Sequence, residues 1–403
     1  MKKVLRSVLS QSMINNFYHL PKAILANIVH GFPSQKLTVI GVSGTDGKTT
    51  TTNMIYQILK AAGKKVSMVS TVNYVIGGKS KDIGFHVTSP DPLMVQKFTK
   101  AAKKAGDEYL VLEVTSHALD QHRFRGIRFS VGVITNITHE HLDYHKSFEN
   151  YFSTKVNLLK KVKFAIVNQN LREKVKEKTK GKIITFGLNS GDFNQQEIKL
   201  KLKIPGDYNI ENALAALSCA FVLDIDRKVA QRILERFSGL AGRMEFIKNN
   251  RGVKVIIDFA HTPNGLEQAL NSLKTEKKGR LISIIGAEGF RDEQKRAMMG
   301  EIAKRLSDIC IVAPVDPRGQ LDVINKQITE GAKKSGAREG QNFFIINDRQ
   351  EAINFAIQKL ARKDDIIGIF GKGHENSMNM DGKKELPWSD KEAVDKALHG
   401  QQI

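Results

Sequence analysis

The chain has 403 residues, 41% hydrophobic and 26% charged, with 63 Lys and Arg against 42 Asp and Glu for a formal net charge of +21. Such a composition belongs to a soluble globular protein with length for two or three domains, and it excludes a disordered, collagen-like or disulfide-scaffold chain. No run approaches the roughly 18 apolar residues of a membrane span, and Arg6, Ser7, Ser10 and Gln11 interrupt the N-terminal segment before it could serve as a secretory signal. Lysines are spread along the whole chain, so the excess charge by itself names no nucleic-acid, membrane or polyanion partner. The two cysteines, Cys219 and Cys310, lie in apolar settings and read as reduced core residues of a cytoplasmic protein.

Residues 1–36 carry two short amphipathic patterns, Val4, Leu5, Val8, Leu9 and then Ala23, Ile24, Ile28, Val29, which predict a short helical segment. From Leu37 onward, β-rich runs alternate with helix-period segments. LTVIGV comes first, followed by a helix from Thr49 to Ala62 that Gly63 stops. VSMVSTV, YLVLEV, SVGVITN and FAIVN follow, then a helix over Asn209–Leu223 and a Gly-rich stretch at 238–245. A second series reads VKVIIDFA, RLISIIGA, ICIVAPV, FFIIN and DIIGIFG. The alternation predicts an α/β protein with mainly parallel sheets covered by helices, divided near 241/242. Polar and glycine-rich motifs follow the strand ends, where open α/β sheets bind ligands.

The run Gly41-Val-Ser-Gly44-Thr45-Asp46-Gly47-Lys48-Thr49-Thr50 lies between an apolar strand and a helix start. Its glycines let backbone N–H groups curl around phosphate oxygens at the positive end of a helix. Lys48 is placed to reach the β- and γ-phosphates and the Thr49 hydroxyl to ligate Mg2+, with Gly44, Thr45, Asp46, Gly47 and Thr50 completing the loop. Val42 breaks the plain Walker spacing by one residue, leaving G-x-x-G-T-x-G-K-T. No N-K-x-D sequence occurs, so ATP rather than GTP is expected.

Glu113 closes the YLVLE strand on the same sheet edge as this loop, where a carboxylate either holds Mg2+ or simply meets water. Lys155 falls on the apolar stripe of Phe148, Tyr151, Phe152, Leu158 and Leu159, at i+4 from Tyr151. A lysine there must snorkel or be chemically changed. Asp258 ends a strand at a position suited to ribose hydroxyls.

These motifs and their order resemble those of the Mur ligases, ATP-dependent enzymes that add amino acids to peptidoglycan precursors. Glu113-Val-Thr-Ser-His-Ala-Leu-Asp-Gln121-His-Arg123 is similar to the E-V-S-S-H-x-L-x-Q-H-R segment of type E members, which add the third peptide residue. Asn136-Ile-Thr-His-Glu-His141, the Lys155 helix and Gly206-Asp-Tyr-Asn209-Ile-Glu-Asn212 follow. Gly242-Arg243-Met-Glu, Asp258-Phe-Ala-His261-Thr-Pro and Gly371-Lys-Gly-His-Glu375 complete the set, so the resemblance spans about residues 37–403.

The resemblance implies a central P-loop domain over 37–241 and a Rossmann-like C-terminal domain over 242–403 that takes the incoming amino acid. It implies Lys48, Glu113, His141 and Lys155 as catalytic residues. Two Mg2+ ions would be held by Thr49, Glu113, His141 and a Lys155 carbamylated to N6-carboxylysine. It makes Arg243 a nucleotide-phosphate contact and Asn209 and Asn212 an adenine-side pair, although asparagines there could merely cap the helix. The implied reaction has two steps. A precursor carboxylate attacks the γ-phosphate to give an acyl phosphate and ADP, and the incoming amine then displaces phosphate. The expected partners are small-molecule substrates only, with no nucleic acid, and a cytoplasmic monomer is expected.

Two departures stand out. Only 36 residues precede the first strand, where type E members carry an α/β domain for the uridine of UDP-N-acetylmuramoyl peptide, so a UDP-binding domain is expected to be lacking. Contacts to the sugar–peptide part look retained: Thr88-Ser89-Pro-Asp-Pro resembles the family's T-T-P-D segment, and Thr115, Gln121 and Arg123 match. The acceptor motif of diaminopimelate-using members is D-N-P-R, whereas this chain reads Val315-Asp316-Pro317-Arg318. Arg318 could clamp a second carboxylate bidentately or cap a turn. Arg291, Gly371 and Glu375 complete the expected amino-acid site. Diaminopimelate, lysine and another acceptor all stay open. So do a Mur-like ligase of folate-glutamylating or amidating type and a non-catalytic P-loop protein.

Overall fold

The computed structural model describes residues 10–82 and 89–400. The pattern of Val4, Leu5, Val8 and Leu9, and the substrate candidate Thr88, lie outside the described residues. The chain divides into two compact units, one of Met1–Thr138, His145–Leu202 and Tyr208–Phe237, the other of His139–Tyr144, Lys203–Asp207 and Ser238–Ile403.

The first unit is built on a nine-stranded sheet. Its strands are β1 (Thr38–Ser43), β2 (Val66–Val69), β3 (Asn73–Ile76), β4 (Lys79–Asp82), β5 (Tyr109–Glu113), β6 (Phe129–Ile134), β7 (Phe164–Asn168), β8 (Lys182–Gly187) and β9 (Phe193–Asn194), in the order β4-β3-β2-β5-β1-β6-β7-β8-β9. Only the β2–β3 and β3–β4 pairs are antiparallel. β1 is central because every residue from Val39 to Ser43 is buried, as strands covered on both faces require. The register puts Val42 of β1 opposite Glu113 of β5, so the glycine loop leaving β1 starts level with that carboxylate.

Helix α1 (Leu20–His30) precedes β1, and α2 (Lys48–Ala61) follows the loop. α3 (Pro92–Lys104) begins at Asp91, whose carboxylate accepts from the N–H groups of Leu93 and Met94, with Pro92 at a position needing no donor. α4 (Phe148–Val156) carries Tyr151 and Lys155, both buried. α5 (Asp207–Val222) carries Asn209 and Asn212 on its buried side.

The N-terminal pattern packs differently from its apolar content. Ala23, Ala26 and Asn27 face inward, while Ile24, Ile28 and Val29 are exposed. The inward face is held by hydrogen bonds instead of large apolar groups: the Asn27 amide donates to Ala23 O and to Arg125 O.

The second unit carries a six-stranded sheet of β10 (Glu245–Ile247), β11 (Lys254–Asp258), β12 (Leu281–Ile285), β13 (Ile309–Val312), β14 (Phe343–Ile345) and β15 (Ile366–Phe370). The order is β10-β11-β15-β12-β13-β14, parallel except for β10. Cys310 is buried in β13, and burial pushes its thiol up to about 12, so it behaves as an inert core residue. Cys219, buried in the first unit, is likewise pushed up by burial. Arg349 and Asp390 form a fully buried bidentate pair, at 2.7 Å for both Nε–Oδ1 and Nη2–Oδ2, which fastens the helix Asp390–His399.

Candidate active site

The phosphate loop folds because its glycines occupy places where no side chain fits. Gly44 (φ 151°) and Gly47 (φ 81°) are outside the usual L-residue region. A Cβ on Gly44 would collide with Thr135 Oγ1, and one on Gly47 with Asn212 Oδ1. The loop is braced from β6 and its extension. Thr135 Oγ1 donates to Asp46 O at 2.6 Å, and Asn136 Oδ1 accepts from Asp46 N at 2.9 Å. Asn212 accepts from the Thr51 hydroxyl at 3.2 Å, so it supports the start of α2 and does not cap α5.

Five side chains meet at this loop. Lys48 Nζ curls back onto the carbonyls of Gly44 (3.1 Å) and Thr45 (2.7 Å). The Thr49 hydroxyl lies 3.0 and 3.1 Å from the two oxygens of Glu113, which is buried and also accepts from Thr71 N at 2.8 Å. Lys155, 1% exposed, donates to Gly44 O at 2.6 Å and sits 4.7 Å from the centroid of the Tyr151 ring. Tyr151 OH lies 3.0 Å from Thr45 Oγ1, tying α4 to the loop. Among the described residues no cluster of three His, Cys, Asp or Glu side chains could hold a metal. Two hard oxygen donors beside a phosphate loop fit a Mg2+ ion, which keeps waters and takes the rest of its shell from phosphate.

A second group lies beyond β5. Ser89 Oγ meets Thr115 Oγ1 at 3.1 Å, and Arg123 reaches Ser89 O at 2.6 Å while its Nε and Nη2 both donate to Gln121 Oε1. Four of the predicted sugar–peptide contacts are thus one connected network. Next to it, His145 Nε2 lies 3.0 Å from Ser116 Oγ. Burial lowers the His145 imidazole to about 4; Asp120 opposes the shift and Lys155 adds to it.

In the second unit, His141 adopts a left-handed backbone (φ 57°) and lies 3.9 Å from Glu140, which takes Lys295 Nζ at 3.1 Å in a buried ion pair. Each oxygen of Asp258 accepts a backbone N–H at 2.7 Å, from Met244 and from Ala260, so this carboxylate fastens the loop behind Arg243. Arg243 stacks 4.4 Å from the Phe259 ring centroid. Asp316 (φ 44°) and Arg318 (φ 51°) are both left-handed around Pro317. Asp316 receives Lys372 Nζ at 3.0 Å and Asn379 N at 2.9 Å, and Lys372 also reaches Glu375 at 2.5 Å. Arg318 donates to Gly289 O at 3.2 Å and lies 3.7 Å from Asp316. Arg291 pairs with Glu288 at 3.0 Å. Burial pushes the Glu288 carboxyl up, but Lys295, Arg291, His261 and Arg318 together outweigh it and hold it down at about 2.

Comparison with known proteins shows what this assembly is. Residues 42–220 match the Mur ligase middle domain, and residues 242–373 match the domain described as "Mur ligase, glutamate ligase domain". A UDP-N-acetylmuramoyl-L-alanyl-D-glutamate–2,6-diaminopimelate ligase of Clostridium botulinum is 36% identical over 400 residues, covering 93% of this chain and 81% of that protein. The chain belongs to the Mur ligase family. The Clostridium tetani enzyme of the same name is 37% identical over 379 residues, covering 88% of this chain and 76% of its own. A solved structure of a ligase with that name shares 26% identity at a TM-score of 0.59, covering 96% of this chain and 83% of its own. Membership makes this chain an ATP-binding ligase, and the type E resemblance agrees with its relatives.

Within this Mur ligase, sequence reasoning passed over several contributors. Lys372 lies inside the Gly371–Glu375 motif, yet a lysine beside glycines reads as solvated, and its burial follows only from Asp316, 56 residues away. Lys295 and Glu140 are 155 residues apart and carry no spacing signal. Tyr151 was legible as an apolar stripe residue, but its hydroxyl contact to Thr45 was not. His145, four residues past His141, carries no spacing signal of its own.

Proposed function

We propose that this Mur ligase joins meso-diaminopimelate, through one amino group, to the terminal carboxylate of a UDP-N-acetylmuramoyl dipeptide in peptidoglycan synthesis. The reading rests on its relatives, named as ligases of that substrate pair, and on one observation: Arg318, held against Gly289 O beside Asp316, Lys372 and Glu375. A planar guanidinium fixed in that way suits a carboxylate better than a neutral tail. Glu375 is the counterpart for an ammonium group. The protein works as a cytoplasmic monomer with its two thiols reduced, and no described helix is long and apolar enough to cross a membrane.

In the first step a precursor carboxylate oxygen bonds to the γ-phosphorus while the bond to ADP breaks. Lys48 leaves its loop carbonyls to meet the phosphate charge, and the N–H groups of the glycine loop hold the rest. Thr49 and Glu113 would hold one Mg2+, and His141 and a carbamylated Lys155 would serve a second. Mg2+ bound there would draw charge from the phosphates and screen the approaching carboxylate. In the second step the amine bonds to the acyl carbon, the carbon–oxygen bond to phosphate breaks, and the amine's proton leaves with solvent. Asn212 and Asn209 attend the nucleotide, Arg243 its phosphates and Asp258 its ribose. Ser89, Thr115, Gln121 and Arg123 receive the muramoyl peptide, with Thr88 beside them, and Arg291 and Gly371 complete the amino-acid site.

The test is ATP turnover with UDP-muramoyl dipeptide and diaminopimelate or lysine, for wild type and Arg318→Ala. The expected result is a preference for diaminopimelate. Its KM should rise at least ~10-fold in the variant, on the scale of ~1.5–3 kcal/mol for a charged hydrogen bond. Lysine use should change much less. Equal losses for both amino acids, or a wild-type preference for lysine, would reject diacid selection by Arg318.

A further inference from the structure

The N-terminal helices present an apolar face that the first unit does not cover. Gln11–Ile14, Asn15–His19 and Leu20–His30 run on without a break until Gly31 ends the helix in a left-handed turn. Their inner side is small and polar. Asn15 donates to Asp120 at 2.6 Å, Asn27 donates to Arg125 O at 2.5 Å, and Ala23 and Ala26 are wholly buried. Their outer side carries Phe17 (79% exposed), Ile24, Leu25 (58%), Ile28 (61%), Val29 (59%) and, just past the helix, Phe32. The helical members recur at helix period, so they share one face. The helix is therefore anchored by its polar side while its large apolar groups face outward, the reverse of a surface helix packing onto a core.

Charge decides what covers such a face. From Met1 to Thr45 the sequence contains no Asp or Glu, against Lys2, Lys3, Arg6, Lys36 and Lys22, the last lying 3.7 Å from Asp91, in a chain whose net charge is +21. A second copy would bring like charge against like charge. An anionic lipid surface offers the opposite charge together with an acyl boundary for the apolar groups, and aromatic rings such as Phe17 and Phe32 favour that boundary. No described helix is long and apolar enough to span a bilayer, so the fit is to lie on the surface.

We propose that this face seats the protein on an anionic lipid bilayer, with the helix in the plane between headgroups and acyl chains. The experiment is co-sedimentation of the full-length protein with vesicles of phosphatidylcholine alone or mixed with phosphatidylglycerol, beside light scattering for oligomeric state. The variant Leu25→Glu/Ile28→Glu places charge at the centre of the face. Phe17→Gln/Val29→Gln gives a milder, independent version should the first fail to fold. The expected result is binding that needs phosphatidylglycerol, weakens with salt and falls at least ~10-fold in partition coefficient in both variants. Melting temperature and ATP turnover should stay those of wild type. Three outcomes overturn the proposal. They are no binding to mixed vesicles, equal binding by folded variants, and a dimer that the variants dissociate without any vesicle binding.

Discussion

Replacing Lys155 separates its structural role from its chemical one, because the two carry different magnitudes. As an amine it is 1% exposed, donates to Gly44 O at 2.6 Å and lies 4.7 Å from the Tyr151 ring centroid. The charged hydrogen bond contributes ~1.5–3 kcal/mol and a desolvated cation–π contact ~2 kcal/mol, against a desolvation cost of several kcal/mol for a buried ion. These terms nearly cancel, so Lys155→Ala should cost the fold only about 0.5–3 kcal/mol, the ordinary range for a substitution. If the side chain works as a carbamate ligand, turnover should fall by ~10²–10³, the scale for removing one charge-stabilising group. Added formate or acetate should restore part of that loss in Lys155→Ala. Lys155→Arg, a fixed cation in the same space, should be inactive without rescue. Protein equilibrated with 13C-bicarbonate should show a carbamate carbon resonance that Lys155→Ala lacks. Near wild-type turnover in Lys155→Arg, or a resonance unchanged in Lys155→Ala, would refute carbamylation and leave Lys155 as a brace for Gly44.

Glu113→Gln keeps the size of a buried side chain and its contact with Thr49 but removes the charge, so ligation should fall by ~10²-fold or more while the melting temperature holds. A variant with ordinary turnover would show that the carboxylate only orders the loop. Asp390→Asn strips the charge from a buried pair, leaving Arg349 with the uncharged carbonyl acceptors Pro314 O and Phe370 O, so the expected loss is about 3–5 kcal/mol. By thermal scanning that is roughly 6–20 °C for a unit of this size, at about 2–4 °C per kcal/mol; a shift under the lower figure would mean the site relaxes around the cation. His145 is lowered from 6.5 to about 4, chiefly by burial, so the unfolded chain binds the proton more readily between those values. Its contribution to stability is complete above pH 6.5 and is lost as pH falls towards 4. Denaturant titrations across that window should show a steeper loss for wild type than for His145→Gln, and parallel curves would remove the imidazole as the cause.

What the sequence disclosed follows from the range of each interaction. The strand–glycine–lysine–helix run was legible because every element of it is local: an apolar strand, glycines at two unusual backbone positions and a helix start within a dozen residues. The strands of the second parallel series stood out as apolar runs, since β12, β13 and β15 are buried on both faces, β11 is buried from Val255 on, and the edge strand β14 buries Phe343. The β3–β4 hairpin was passed over even though Gly77-Gly78 marks its turn, because the strand–helix alternation around it leaves no place for an antiparallel pair. The N-terminal helix was legible, but not which side it would bury. Periodicity ranks faces by hydrophobicity, and here two buried asparagines and two alanines win through hydrogen bonds and close approach. Asp258 sits at the strand end where a ribose contact is expected, and each of its oxygens also accepts one backbone N–H, from Met244 and from Ala260, a brace that spacing does not reveal.

Asp316 joins the acceptor motif to the rest of the second unit. An amide at that position would have met Asn379 N–H equally well, but it would have removed one of the two carboxylates, Asp316 and Glu375, that meet the wholly buried Lys372. The aspartate therefore follows from the need to neutralise a buried ammonium, and the left-handed backbone at 316 holds it in reach. The same carboxylate stands 3.7 Å from Arg318, beyond a direct hydrogen bond and close enough to keep the guanidinium from being an isolated cation. Arg291 with Glu288 and Lys295 with Glu140 repeat the arrangement, so these cations come already compensated. A site so balanced favours an amino acid that brings equal numbers of carboxylates and ammonium groups. Diaminopimelate, with two of each, leaves that balance intact; lysine brings an unmatched positive charge to a region with no spare anion among these pairs. With the acceptor seated beside Arg318, as proposed, its selection would come from the charge count of these residues together as much as from the fork of Arg318.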